Sequence, residues 1–173
     1  MQKTQPRSIL LAHYIFIALG GSLLLAASAH LEIPLLLVPV TFQTMALLVL
    51  AVLLGPQLAC AATVAYLIEG FLGAPVFAST TTSATLGYLV VFPVAAFIAG
   101  RIAEERNFYR ILLAGVVSAL IVLTAGTLFL VPLLGLHKAF TLGFAPFVLI
   151  EVIKVLAVAS GVSLSTRLSK KSA

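Results

Sequence analysis

The sequence predicts an all-α integral membrane protein, one bundle of six transmembrane helices. Apolar residues fill 62% of the 173 positions and charged residues 9%, whereas soluble domains run at about half and a quarter. A soluble fold of this length cannot hide that much apolar surface, so lipid is the solvent. Ten Lys and Arg outnumber five acids. They gather in short polar breaks between apolar runs, the pattern of cytoplasmic loops rather than of a nucleic-acid surface. The chain has no room for a second sizeable domain. It is read as a single membrane domain over 1–173, with short tails at 1–8 and 165–173.

The first span, about 9–29, follows Lys3 and Arg7. It exceeds the 7–15 residues usual for a signal-peptide core, and is therefore read as a retained helix. Ala18, Ser22 and Ala26 recur on it at every fourth position. Such a stripe of small residues lets another helix approach closely, whether from the same chain or from another subunit. The second and third spans, about 40–54 and 57–72, are short and separated by Gly55-Pro56-Gln57. That turn signal also fits a kink or a re-entrant segment. The remaining spans are about 84–101, 109–131 and 142–164.

Six spans with both termini in the cytoplasm put Lys3, Arg7, Arg101, Arg106, Arg110, Arg167, Lys170 and Lys171 inside, eight of the ten basic residues. The positive-inside rule is then met. Three longer connections, 30–40, 69–83 and 132–141, face outward. Cys60 is the one cysteine and excludes an internal disulfide or a CxxC metal site. Its simplest role is a small packing residue.

The sixth span carries the most informative residues. Glu151 and Lys154 stand three apart inside an apolar run, so in a helix they share a face. Charge in hydrocarbon is costly enough that such a pair marks a functional site by default. The alternative is an ion pair that neutralises itself and only fixes packing. Glu151 falls about nine residues into this span, roughly 13 Å below the outer surface at 1.5 Å per residue.

Other polar residues interrupt apolar stretches. Thr41, Gln43 and Thr44 open the second span and Glu69 ends the third. Gln43 both donates and accepts, which suits an amide or ureido ligand as well as a neighbouring backbone. Glu69 is read as a solvated residue at the water interface. Ser79 through Thr85 is a run of hydroxyl and small residues leading to Tyr88, able to bond a carboxylate or to cap the fourth helix. His13, His30 and His137 have no metal-site spacing. No phosphate loop, HExxH or GxSxG motif occurs, and the chain contains no aspartate, so catalysis has no visible constellation. A small membrane enzyme is the weakest alternative.

The strings Pro39-Val40-Thr41-Phe42-Gln43-Thr44 and Gly70-Phe71-Leu72-Gly73-Ala74-Pro75-Val76-Phe77-Ala78 are joined by Leu54-Gly55-Pro56, Gly87-Tyr88, Gly126-Thr127 and Pro146-Phe147 ahead of Glu151 and Lys154. In this order they resemble the BioY family, the biotin-binding S components of energy-coupling factor (ECF) transporters. The resemblance covers about 33–157. The family usually has Asp where this chain has Glu151, and a longer glycine-rich segment where this chain has 79–86.

The resemblance implies an S-component-like bundle in the cell membrane that holds biotin near its outer face, with no cofactor and no catalysis. It implies a coupling transmembrane subunit and two cytoplasmic ATPases as partners, with Ala18, Ser22 and Ala26 on the docking face. Glu151 would accept from the ureido ring, while Lys154 would donate to the ring carbonyl or pair with the tail carboxylate. Gln43, Thr41 and Tyr88 complete the expected ligand set; Thr82 and Thr85 join it from the hydroxyl run at the pocket mouth, because the family's contacts from its longer loop do not transfer to 79–86. An S component for another vitamin and a solitary facilitator without ATPases are the alternatives.

Overall fold

The computed structural model describes residues 7–33, 38–78 and 83–171. Among these, eight helical segments make up the six-helix bundle: α1 Arg7–His30, α2 Gln43–Leu54, α3 Pro56–Phe71, α4 Ser83–Leu89, α5 Phe92–Ile102, α6 Phe108–Leu134, α7 Leu136–Gly143 and α8 Ala145–Lys171. The stretches 11–30, 84–102, 108–134 and 136–165 are each long and apolar enough to cross a bilayer. Large apolar side chains cover the outside, Phe16 at 77% and Leu149 at 69% exposure among them, as lipid demands.

The short second span is explained by its position. Twelve residues of helix reach about 18 Å, less than a bilayer core of roughly 30 Å. However, α2 touches α1, α3, α5, α6 and α8 and is buried on nearly every side. A helix apolar all round belongs inside protein. Gly55, at φ 79°, turns the chain directly into α3, where Pro56 takes the first helical position. The Gly-Pro signal is therefore a turn between two helices.

The fourth span runs over 84–102 with a break inside it: α4 stops at Leu89 and α5 starts at Phe92. Pro93 has no N–H to donate, and its ring crowds the carbonyl of Leu89 four residues back. The connection 132–141 is not a loop: α6 continues to Leu134 and α7 follows after Gly135. The connection 30–40 contains a small antiparallel ladder, β1 Glu32–Ile33 with β2 Val40–Thr41.

The small-residue stripe on α1 packs inward in the single chain. Ser22 is 0% and Ala18 8% exposed, and Ala26 packs half-buried against the core. These residues face the protein's own bundle, where α1 lies against α3. A Cβ at Gly21 would stand 2.6 Å from that of Ala62, so the small residues do permit close approach, but within one chain. Ser22 donates to Glu69, which is half-buried rather than freely solvated.

Candidate ligand-binding site

The start of α2 and the first turns of α8 meet at one polar centre. Glu151 is six residues into α8, about 9 Å along it, because the helix starts at Ala145 rather than near 142. Glu151 and Lys154 are 7% and 8% exposed. Lys154 Nζ donates to Glu151 Oε1 at 2.6 Å, to the Thr41 carbonyl at 2.7 Å and to Thr44 Oγ1 at 3.0 Å. An ammonium has three protons, so all are matched. The Thr44 hydroxyl in turn donates to Glu151 Oε1 at 2.8 Å. Both donors land on one carboxylate oxygen. Among the described residues nothing bonds Oε2, which stays available to accept.

A second chain of bonds runs beside this one. Thr41 Oγ1 donates to Gln43 Oε1 at 2.9 Å, and Gln43 Nε2 donates to the Tyr66 hydroxyl at 2.6 Å. Gln43 is buried and Tyr66 fully so. Across the site, the Tyr88 hydroxyl donates to the Gly143 carbonyl at 2.8 Å. The Tyr88 ring lies so close to Gly126 that a Cβ there would come within 2.1 Å of it.

Thr41, Gln43, Thr44, Tyr88, Glu151 and Lys154 line one cleft together with Thr85. It measures about 550 Å³ counting its open mouth, with about 60 Å³ of accessible interior. Its remaining walls are apolar, chiefly Leu89, Phe92, Val122, Leu123 and Phe147. Apolar walls with a few convergent polar groups are what a small-molecule site requires. Glu151, Lys154, Gln43, Thr41, Tyr88 and Thr85 thus come together. Thr82 lies outside the described residues.

Thr44 is singled out in the sequence as a polar residue opening the second span but stands outside the expected ligand set, and Tyr66, Phe92 and Phe147 are not among the candidates. Thr44 left a trace in the sequence: a hydroxyl entering an apolar span needs a partner. Tyr66 and the apolar wall left none, because their roles depend on contacts with distant parts of the chain.

The model of the BioY family matches residues 1–171. The chain belongs to the BioY family. Among other members, the probable biotin transporter BioY of Pyrococcus horikoshii is 32% identical over 76% of this chain and 82% of its own length. The biotin transporter BioY of Thermotoga maritima is 33% identical over 79% of this chain and 85% of its own. A biotin transporter of Lactococcus lactis subsp. cremoris is also 33% identical, over 91% and 89%. The fold of this BioY-family chain is that of a solved S-component for biotin from an ECF-type ABC transporter. The two superpose with a TM-score of 0.77 over 93% of each chain, at 17% identity.

Proposed function

We propose that this chain is the substrate-binding membrane subunit of a biotin importer, an S component that captures biotin in the cleft between α2 and α8. The observation that carries this reading is the closed cluster of Lys154, Glu151, Thr41 and Thr44 at the polar end of an apolar-walled cleft. Biotin has matching chemistry: a ureido ring with two N–H donors and one carbonyl, an apolar body and an anionic tail. Glu151 Oε2 accepts a ring N–H. Lys154 donates to the ligand by exchanging its longest bond, the 3.0 Å one to Thr44, for a ligand oxygen. Gln43, Thr41, Tyr88 and Thr85 complete the contact set, with Thr82 from the hydroxyl run ahead of the fourth helix.

In this reading both termini are cytoplasmic, the cleft opens outward, and binding and translocation replace catalysis. A coupling subunit and two ATPases supply the energy. Ligand released from purified, denatured protein and identified by mass tests the proposal. Biotin at near one per chain is expected, and a different vitamin there overturns the assignment. Uptake in cells lacking coupling subunits separates the subunit reading from a solitary facilitator. Reporter fusions at each terminus test the orientation, which an outward-facing end refutes.

A further inference from the structure

Tyr66 does not line the cleft, yet its hydroxyl ends a chain of bonds that begins there. It is 0% exposed, and Phe77 packs edge-on against its ring at 5.3 Å. Its hydroxyl accepts from Gln43 Nε2 at 2.6 Å, while Thr41 holds Oε1 of the same amide at 2.9 Å. A glutamine amide free at its end rotates and exchanges donor for acceptor at little cost. Held at both ends by hydroxyls, it is fixed in place against the cleft. One N–H and one carbonyl lone pair then remain uncommitted among the described residues, on a side chain that lines the cleft. A cyclic urea edge, with N–H beside C=O, pairs with that arrangement.

We propose that Tyr66 is a positioning residue for ligand recognition: it orients the Gln43 amide and so sets the preference for a ureido ring, without touching the ligand. This rests on the biotin reading above. Pre-setting the amide removes a rotational cost from binding, and a ligand that cannot meet both free sites of the amide leaves a buried polar group unmatched.

The test is a double-mutant cycle on the purified full chain, with biotin as probe and 2-iminobiotin, whose ring carbonyl is replaced, as comparison. Tyr66→Phe keeps the ring against Phe77 and removes only the hydroxyl. Biotin Kd is expected to rise about five- to tenfold in the wild-type background, and less than about twofold when Gln43→Met is also present. The preference for biotin over 2-iminobiotin is expected to shrink in Tyr66→Phe. Equal losses in both backgrounds, or an unchanged preference, overturn the proposal, since a merely structural tyrosine acts the same with or without Gln43. If Tyr66→Phe yields no folded protein, Thr41→Val frees the other end of the amide and must show the same dependence on Gln43; additivity there also overturns it. A wild-type chain that binds no biotin overturns the parent reading and this inference together. A binding wild type with an additive cycle overturns only this one.

Discussion

Removing the ammonium of Lys154 tests whether Glu151 and Lys154 form a buried, ionised pair. Lys154→Met keeps most of the side-chain length and deletes three bonds, at 2.6, 2.7 and 3.0 Å. It leaves a carboxylate at 7% exposure with only the Thr44 hydroxyl, and the Thr41 carbonyl loses its lysine. Breaking a buried pair from one side costs about 3–5 kcal/mol, a large share of a total stability of about 5–15 kcal/mol. At roughly 2–4 °C per kcal/mol for a chain of this size, melting falls by about 6–20 °C. Glu151→Met with Lys154→Met removes both charges, and such replacements are often neutral or better. The double variant is therefore expected to melt within about 4 °C of wild type while binding no biotin.

The chain has no tryptophan, so unfolding is followed in detergent by a thiol-reactive dye at the half-buried Cys60. Binding is measured with labelled biotin. The reasoning fails if Lys154→Met melts like wild type, because the pair is then not buried and ionised. It fails equally if the double variant melts as low as the single one. Retained binding in the double variant removes the site assignment itself.

Three further outcomes follow from particular contacts. Tyr88→Phe leaves the Gly143 carbonyl without its 2.8 Å donor and is expected to lower stability by about 1–3 kcal/mol, read by the same melting assay. Gly126→Ala puts a methyl where the Tyr88 ring lies; overpacking costs about 1–3 kcal/mol, and displacing a wall of the cleft is expected to raise biotin Kd at least about tenfold. Ser22→Leu is expected to destabilise the isolated chain, because Ser22 is buried against α3 and bonds Glu69. Gly20→Leu, beside open space, is expected to leave melting unchanged. Loss of uptake with unaltered melting in Ser22→Leu would favour the docking reading of the stripe.

The parts legible in the sequence are those whose signal is local. A charged pair three apart in an apolar run locates itself, because helical geometry and the cost of charge in lipid need no further context. The long spans are legible by length alone. The α4–α5 break carried a local mark in Pro93, but an apolar run hides the interruption. The stripe of Ala18, Ser22 and Ala26 was legible as a contact and not as to its partner, since small residues serve helices of one chain and of two equally well. Thr44 and Glu151 are 107 positions apart, and nothing in either neighbourhood announces the other. The ladder of Glu32–Ile33 with Val40–Thr41 rests on two-residue strands, too short for any alternation to register.

The self-satisfied state of the polar centre bears on how selectivity arises. In sites where groups are orphaned by a wrong ligand, discrimination reaches about 10⁴–10⁵. Here Lys154 is fully matched within the protein, so a ligand without the ureido ring leaves no ammonium proton stranded; Lys154 keeps Thr44 and Glu151. At Lys154 the ligand substitutes one bond for another, and net gain per bond is only about 0.5–1.5 kcal/mol, up to about 3 for bonds to charged groups. Affinity then draws mainly on the apolar wall of Leu89, Phe92, Val122, Leu123 and Phe147. A carbocyclic biotin analogue, with the ureido nitrogens replaced by carbon, is accordingly expected to bind about 10- to 100-fold more weakly, measured by competition against labelled biotin. A loss of 10⁴ or more would mean that the wrong ligand strands buried groups after all, and that the internal bonds of Lys154 are not available while the cleft is occupied.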